Sequence, residues 1–581
     1  MAQVAAALSL NSVAGVGAHQ QALAKLERLE EELDAALSRR KSNGLVRRAV
    51  KAWQRGDIAR AAQLALAATE ADDENAQAFH LLAMALGRMG HAHKSLVTFE
   101  RAFQLDPEDP DLLVNLGLSA WNAKMSDGAA RMFRHFIEAR PDSPLGYNNL
   151  GMIQCELGHA SVAIETLRSA IYRMPTESML WNSLATVLAE TGRAEESVQF
   201  YQEAIRLDPA FSRPYHNLGF AYSHLGRLEE ALECYDHALE RAKDPSERIE
   251  GQHSRSICLI GMGKLEEGWR EYEIRNNPRF RTYVNHIIKA PYWQGEDLDG
   301  KRVLLVGEQG LGDEFMFAGI IPDLLHAVGP AGKVQIAVDP RLVTLFQRSF
   351  PQADVGAYDD RKLIDPNGNK ELRFVHWAVA NGAPDYYVMM GSTLQYLRKR
   401  FEDFPRAQFL EPDPSRVAQY RDQIGSFSPG LKVGICWRSM VLDTKRSKYY
   451  SALDEWGPLL KTPGVTFVNI QYGDCAAEIV RAEEQHGVKI HVIPDLDLKN
   501  DIDGGAALSA ALDVVISAPT AAAAVAGAVG TEVWFLTAGR TWPQLGTDHF
   551  PWYRTTRVFA PEKFADWASV MPIVAQALVT R

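Results

Sequence analysis

The chain has 581 residues, a formal net charge of −11 and 46% hydrophobic residues. This length exceeds what one hydrophobic core supports, so two or three domains are expected. The negative charge disfavours nucleic acid as a partner, and no apolar run reaches the roughly 18 residues that a membrane-spanning helix needs.

The cysteines and the N-terminus predict a cytoplasmic protein. Five cysteines are odd in number and widely separated, which predicts reduced thiols and no metal site with cysteine spacing. No Lys or Arg precedes the apolar stretch 4–10, which argues against a secretory signal. The cysteines are Cys155, Cys234, Cys258, Cys436 and Cys475.

Residues 1–41 are predicted to form an N-terminal helical segment. Within residues 19–40, leucines recur at helical spacing and opposite charges recur four residues apart. A helix that caps the following domain is the first interpretation, and a short coiled coil is the alternative. Self-association of the chain is left open.

A repeat of 34 residues runs through the next part of the chain. Prolines mark this period at Pro107, Pro141, Pro175 and Pro209. A small residue and a bulky residue keep the same step, which is the signature of tetratricopeptide helix pairs that bury their apolar faces by stacking. Small residues let two helices approach, the bulky residue fills the seam, and proline ends the second helix. We predict an array of about seven repeats over residues 42–281, which binds a protein or peptide.

One polar column in the array is a candidate acceptor-binding surface. It consists of Asn115, Asn149, Ser183 and Asn217 at equivalent repeat positions. An asparagine amide both donates and accepts hydrogen bonds, so a column of them on the concave wall can pair with the backbone of an extended peptide. The alternative is that these residues belong only to the repeat consensus and bond to the neighbouring turn.

After about residue 281 the pattern changes to short β-branched runs that alternate with helical stretches. Buried strands separated by helices predict doubly wound parallel sheets. A turn-rich segment near residue 425 divides them into two sets, at 282–425 and 426–581. The predicted strands are 302–308, 334–339, 431–437, 465–471, 488–493, 513–518 and 532–537.

Four stretches carry a resemblance to the heptosyltransferase-like glycosyltransferases of GT-B fold. They are EQGLGDEFMFAG (308–319), VGICWRS (433–439) continued by KRSKYYSALDEWGPLL (445–460), SAPTAAAAVAGAVG (517–530), and FPWYRTTRVF (550–559). The layout of repeats followed by a transferase resembles protein O-GlcNAc transferase and, more closely, the bacterial flagellin glycosyltransferases with a tetratricopeptide array. The fold expected is thus an α-solenoid followed by two Rossmann-like domains, the first on the acceptor side and the second on the nucleotide-sugar side.

The resemblance places the catalytic base on Asp313. Gly310 and Gly312 are expected to let the backbone after the first strand turn tightly and approach a ligand. A carboxylate there can remove the proton of an acceptor hydroxyl if partial burial raises its pKa. The alternative is that Asp313 is only the N-cap of the next helix.

The donor site is predicted in the second set of strands. Cations after the strand 431–437 are expected to stabilise the departing phosphate without a metal or cofactor. Lys448 matches the phosphate-binding lysine of the resembled family, and Ser517 and Thr520 lie in the strand-to-helix loop, where helix capping by Thr520 is the alternative. The remaining candidate cations are Arg438, Lys445 and Arg446.

Two departures from the resembled family bear on the donor. Pro519 and Ala524 stand where that family carries an aspartate and a histidine. ADP-heptose is therefore a poor match, and a CMP-linked nonulosonic acid such as pseudaminic acid is favoured. The function expected is metal-independent transfer of this sugar to Ser or Thr of a protein acceptor, with flagellin favoured. The alternatives are an inactive adaptor and an O-GlcNAc-type enzyme that uses a UDP sugar.

Overall fold

The structure is a computed structural model that describes residues 2–365, 368–404, 406–440 and 444–581. Within these ranges the side chains at 2–20, 22, 23, 26, 30, 364, 365, 368–370, 444 and 445 are not described. The chain divides into two compact units, one formed by residues up to Gln154 and the other by most residues from Cys155 onward.

The first unit is a series of antiparallel helix pairs. Its helices are α1 (Ala2–Gln54), α2 (Ile58–Ala71), α3 (Ala76–Arg88), α4 (Ala92–Leu105), α5 (Pro110–Asn122), α6 (Ser126–Ala139) and most of α7 (Pro144–Glu156). Helix α1 packs against α2 only from Ser42 onward, where the Ser42 hydroxyl donates to the Ala68 carbonyl at 2.8 Å. The residues before Ser42 are the front part of this one helix, and the side chains described between Gln21 and Lys41 are almost all exposed. The interpretation of this segment as a cap stays a prediction.

The small, bulky and proline positions of the repeat have the packing roles that the sequence predicts. A Cβ added to Gly117 would lie 2.9 Å from the Phe133 ring, so only glycine lets the bulky residue fill the seam between α5 and α6. Helices α4 and α6 end two residues before Pro107 and Pro141, as expected of residues that cannot donate the next backbone hydrogen bond. The Pro141 carbonyl then accepts a hydrogen bond from the Tyr147 hydroxyl on the next helix.

The second unit begins with further helix pairs of the same kind. They are α8 (Ala160–Arg173), α9 (Ser178–Glu190), α10 (Ala194–Leu207), α11 (Ser212–His224), α12 (Leu228–Arg241), α13 (Pro245–Gly261) and α14 (Leu265–Tyr272). Gly219 repeats the tight approach, since its Cβ would lie 2.9 Å from the Tyr235 ring. Trp269 on α14 is 1% exposed and makes edge contacts with Trp542 and Trp552, so the last helix pair shares a core with the sheets that follow.

The first parallel sheet follows this helix pair. Its elements in chain order are β1 (Val284–Ile287), β2 (Arg302–Val306), α15 (Leu311–Phe317), α16 (Ile321–Val328), β3 (Lys333–Val338), α17 (Val343–Ser349), β4 (Asp354–Ala357), β5 (Asp359–Asp365), β6 (Gly368–Phe374), α18 (His376–Ala380), β7 (Tyr386–Met389) and α19 (Leu394–Leu397). The strand order is β4-β3-β2-β7, with parallel pairs throughout. Strands β1, β6 and β5 form a separate three-stranded sheet, which the sequence did not predict.

The second parallel sheet has six strands. Its elements are α20 (Pro414–Gly425), β8 (Leu431–Cys436), α21 (Thr444–Ser447), α22 (Gly457–Leu460), β9 (Val465–Asn469), α23 (Ala476–His486), β10 (Ile490–His491), α24 (Ile502–Ala511), β11 (Val514–Ser517), α25 (Ala521–Ala528), β12 (Glu532–Leu536), β13 (Thr556–Phe559) and α26 (Trp567–Val579). The order β10-β9-β8-β11-β12-β13 reverses direction between β8 and β11, which is the switch point where doubly wound sheets bind ligands.

The two parallel sheets meet through one helix of each. Helix α15, which follows β2, packs on α25, which follows β11, so the carboxyl ends of the two sheets face a common space. The parallel sheets predicted from the buried strand runs are thus confirmed. In the part of the chain that the structure describes, no helix is both long enough and apolar enough to cross a membrane.

Candidate functional site

A cavity of about 600 Å³ lies where the two sheets face each other. The loops after β2, β8 and β11 line it, and these are the strands on either side of the two switch points. Apolar side chains form much of its wall, including Phe535, Phe550 and Tyr553. A concave, mainly apolar cleft with a few polar groups is the usual form of a site for a small molecule.

Asp313 stands at one end of this cavity, in the first turn of α15. The N-cap of α15 is Gly310, so the alternative that Asp313 caps the helix is wrong. The Asp313 side chain is exposed to the water of the cleft, and the protein walls around it desolvate its carboxylate only in part. This desolvation, together with the neighbouring Glu308 carboxylate, raises the pKa of Asp313 to about 6, and Arg275 opposes the rise.

A second cavity, of about 190 Å³, lies on the other side of Asp313. Its wall comes from the last helix pair of the array, through His253 and Tyr272, and from the segment that leads into β1, through Arg281 and Thr282. Asp313 lines both cavities. The carboxylate can therefore contact two different molecules, one from each side.

A buried ion pair fixes the floor beside Asp313. Arg275, which follows the last repeat, donates to Glu308 at 3.1 Å and to the Ser392 hydroxyl at 2.9 Å. Glu308 also accepts the Gly391 backbone N–H at 2.7 Å. Arg275 and Glu308 are 8% and 5% exposed, so each needs the other to offset its desolvation. The end of the array thereby holds the loop after β2 in place.

The neighbouring Glu314 anchors the same loop from below. Its carboxyl group accepts the Tyr358 hydroxyl at 2.6 Å and the Asp339 backbone N–H at 3.2 Å. Burial raises the pKa of Glu314 to about 8. A Cβ added to Gly307 would lie 2.6 Å from the Glu314 carboxyl carbon, so Gly307 is the glycine that this loop requires.

The two glycines singled out in the sequence have smaller roles. Gly310 adopts φ −138° and ψ 138°, an extended conformation open to any residue, so the expectation that it supplies a special turn is wrong. A Cβ on Gly312 would meet the backbone of Ala521 at 3.8 Å, an ordinary van der Waals distance. Both glycines line the cavity, so their small size leaves room for a ligand.

The predicted cations are divided among different partners. Arg438 is paired with Glu478, at 2.9 Å between Nε and Oε2, and it does not line the cavity. Lys448 is 3.3 Å from Glu190 on helix α9 of the array and does not line this cavity, so its assignment to a phosphate stays a prediction. Arg446 lines the cavity, and the side chain of Lys445 lies outside the described residues.

Two cations that line the cavity were missed in the sequence. Arg341 follows β3 of the first sheet, and Lys499 lies in the loop before α24 of the second sheet. The Arg341 guanidinium donates to the Lys499 carbonyl at 3.1 Å and to the Asp339 carboxylate at 2.9 Å. Nothing in their local sequence marks these residues, because the site arises only when strands far apart in the chain come together.

The loop after β11 has one half-buried and one fully buried hydroxyl. Thr520 lines the cavity at the N-cap position of α25. Its hydroxyl makes no capping hydrogen bond, so the alternative that the Thr520 side chain caps this helix is wrong. Ser517 is fully buried and donates to the Ala518 carbonyl at 2.6 Å, so it supports the loop and does not reach a ligand. Pro519 and Ala524, which replace the acidic residue and the histidine of the resembled family, both line the cavity.

The polar column of the array is largely occupied by contacts within the chain. The Asn115 amide bonds to His80 at 3.0 Å, and the Asn217 amide donates to Asn182 at 3.0 Å. Each of these contacts reaches the first helix of the preceding repeat. Asn149 and Ser183 are buried and donate to carbonyls one turn earlier on their own helices, those of Leu145 and Met179. The column therefore joins neighbouring repeats and stiffens individual helices, and its role in binding an acceptor stays a prediction.

One relative covers nearly the whole chain. Over 532 residues the chain is 39% identical to Protein FlbA of Caulobacter vibrioides, which is 91% of this chain and 89% of that protein. The chain belongs to the FlbA family. The shared region includes both the repeats and the two parallel sheets, so this family combines them in one polypeptide.

The repeats of this FlbA family member are also matched separately. Tetratricopeptide repeat models match residues 80–144, 180–211 and 200–233, which confirms the predicted array. The solved structures that resemble the chain include TTC0263, a tetratricopeptide protein of Thermus thermophilus, with 25% identity over 31% of this chain and 98% of that one and a TM-score of 0.28. Another is YrrB, a tetratricopeptide protein with an unusual peptide-binding site, with 20% identity over 33% of this chain and 98% of that one and a TM-score of 0.25. Tetratricopeptide arrays bind proteins and peptides, and this is the role that the repeats indicate.

Proposed function

We propose that the chain is a protein O-glycosyltransferase in which the array captures a protein acceptor and the two sheets form a GT-B catalytic module. The observation that carries this proposal is the position of Asp313 between two cavities. A transferase that joins two substrates needs a base at the point where they meet, and Asp313 is a carboxylate whose pKa of about 6 suits that role near neutral pH.

The proposed reaction follows from this arrangement. A Ser or Thr hydroxyl enters through the smaller cavity, and a nucleotide sugar occupies the larger one. Asp313 removes the hydroxyl proton as the oxygen attacks the anomeric carbon. The bond between that carbon and the phosphate oxygen breaks, and the electron pair leaves with the nucleotide. The attack comes from the face opposite the phosphate, which corresponds to inversion at the anomeric carbon.

The charges of the larger cavity favour an acidic donor. Three cationic side chains line it, those of Arg341, Arg446 and Lys499. Among the described residues of its wall, Asp313 supplies the single carboxylate. A CMP-linked nonulosonic acid carries one phosphate and one sugar carboxylate, and guanidinium and ammonium groups bind both. Pro519 stands where the resembled family has an acidic residue, and the lack of that charge suits a sugar that is itself an anion.

Flagellin is the acceptor that we propose, on the basis of the resemblance to flagellin glycosyltransferases with a tetratricopeptide array. The route to Asp313 is consistent with capture by the array, because the smaller cavity is lined partly by the last helix pair. A segment held along the repeats of the second unit would thus reach the base without crossing the sheets.

Co-expression with flagellin tests the proposal. We expect the intact mass of flagellin to rise by a whole number of nonulosonic acid residues only when the chain and the donor pathway are both present. No increment with the wild-type chain, despite capture of flagellin, would support the inactive adaptor. An increment of N-acetylhexosamine would support the enzyme that uses a UDP sugar.

Calorimetric titration tests the donor separately from the acceptor. We expect the full chain to bind CMP more tightly than UDP or ADP. Tighter binding of UDP or ADP would contradict the proposed donor. The Pro519→Asp variant should weaken CMP-sugar binding if the added carboxylate repels the sugar, and Pro519→Ala is the matched control for loss of the proline ring.

A further inference from the structure

The front part of helix α1 has no packing partner within the described structure. From Ala24 to Lys41 its described side chains are exposed almost without exception, whereas Val46 and Ala49 further along are buried against the array. An isolated helix of fewer than about 12–15 residues is marginal in water, and a longer one gains most of its stability from packing on an apolar face. Among the described residues, this stretch therefore lacks the packing that stabilises most helices.

The exposed stretch carries an apolar stripe. Leu29, Leu33 and Leu37 follow one another at intervals of four residues and are 52%, 60% and 55% exposed. Residues four apart lie on the same face of a helix, so the three side chains form one continuous surface. A stripe of large apolar residues on an otherwise charged helix is typical of a helix that pairs with another helix.

The charges of the exposed stretch change in sign along the helix. Residues 27–34 are acidic on balance and form the acidic block, with Glu27, Glu30, Glu31, Glu32 and Asp34 against the single cation Arg28. The basic block follows and consists of Arg39, Arg40 and Lys41. Two copies of α1 in parallel would place acidic blocks side by side. Two antiparallel copies that cross near residue 35 would place each acidic block beside the basic block of the other copy, with Leu33 opposite Leu37.

We propose that the front part of α1 is a self-association surface that forms an antiparallel homodimer of the chain. The occupant is a second copy because the helix is complementary to itself in charge and in the position of its leucines. The contact area is small, so the dimer should dissociate in the micromolar range and not be permanent. The array and the catalytic module of each copy stay intact in this arrangement.

Sedimentation equilibrium of the full chain tests the surface. We expect the weight-average mass to rise from 64.5 kDa toward twice that value as the concentration increases through the micromolar range. The triple variant Leu29→Gln, Leu33→Gln, Leu37→Gln keeps residues with good helix propensity and should remain monomeric. The matched control is Leu66→Gln, at a leucine on α2 that is 48% exposed, and it should dimerise like the wild type. A wild-type chain that stays monomeric, or a triple variant that still dimerises, would overturn the proposal.

Charge reversal tests the antiparallel orientation. The variant Glu31→Lys, Glu32→Lys should weaken association by roughly tenfold or more, because like charges then meet across the pair. The variant Arg39→Glu, Arg40→Glu should do the same. All four substitutions in one chain should restore dimerisation, since the lysines at 31 and 32 would then face the glutamates at 39 and 40 of the other copy. In a parallel dimer the single reversals would leave association unchanged, and that result would refute the antiparallel arrangement.

Discussion

The raised pKa of Asp313 makes a quantitative prediction about the pH dependence of transfer. A base acts only when it is ionised, so activity must rise with pH through its pKa. With a pKa of about 6, roughly one tenth of Asp313 is ionised at pH 5 and roughly nine tenths at pH 7. At subsaturating substrates kcat/KM should therefore increase about tenfold over this interval. An aspartate with an ordinary pKa of about 3.9 would already be ionised at pH 5, and the profile would be flat.

Asp313→Asn removes the base and nearly preserves the shape of the side chain. Transfer should fall by about two to four orders of magnitude. The midpoint of thermal unfolding should not fall, because the substitution removes a desolvated charge that lies beside Glu308. The assay is the initial rate of flagellin mass increase with purified donor, and Asp422→Asn, at an exposed position on α20, is the control. A flat wild-type profile, or substantial activity in a folded Asp313→Asn protein, would refute the assignment of Asp313 as the base.

Three further substitutions separate binding from stability. Lys499→Ala should raise the donor Kd about tenfold in calorimetry, since a hydrogen bond from a charged group contributes roughly 1.5–3 kcal/mol, and an unchanged Kd would remove Lys499 from the site. Gly307→Ala should lower the free energy of unfolding, measured by urea denaturation, by about 1–3 kcal/mol, because the methyl group of the alanine would overlap the buried Glu314 carboxyl group. Unchanged stability would mean that the Glu314 side chain can move. Lys448→Ala should lower the free energy of unfolding by about 1–3 kcal/mol, because Glu190 loses its partner. The affinity for CMP should stay the same, and a weaker affinity would support Lys448 as a donor ligand.

The sequence predicted the main elements of the fold well, and the reason is periodicity. A step of 34 residues fixes where each helix pair starts and ends, as Gly117 against Phe133 illustrates. Buried parallel strands are short, continuous apolar runs, so β2, β3, β8, β9, β11 and β12 could be placed within one to two residues. These signals are local and need no knowledge of tertiary contacts.

The elements that were missed depend on contacts distant in the chain. Strand β1 (Val284–Ile287) was not predicted, because it is short and pairs with β6 some 87 residues later, where Val284 meets Glu371. Strands β5 and β6 carry runs of consecutive charged residues and lack the apolar run of a buried strand. A short strand whose partner is remote has no periodic signal of its own.

The candidate site shows the same division. Asp313 could be found because it lies in a short motif after a strand, and the switch-point rule places such motifs at a ligand site. Arg341 and Lys499 could not be found, since they are 158 residues apart and meet only through the packing of two sheets. The roles of Arg275 and Glu308 were also missed, because the sequence does not show that the end of the array forms the floor of the cleft.

The contacts of Lys448 reveal how the array and the cleft are connected. The cations after β8 were interpreted as one phosphate site, but Arg438 is paired with Glu478 and Lys448 with Glu190. Lys448 contacts Glu190 and Tyr449 bonds to His224, so two consecutive residues attach to the array. Their neighbour Tyr450 lines the cavity, as does Arg446 two residues before Lys448. One short segment thus touches the array with some side chains and the cleft with others, which ties the position of the cleft wall to helices α9 and α11.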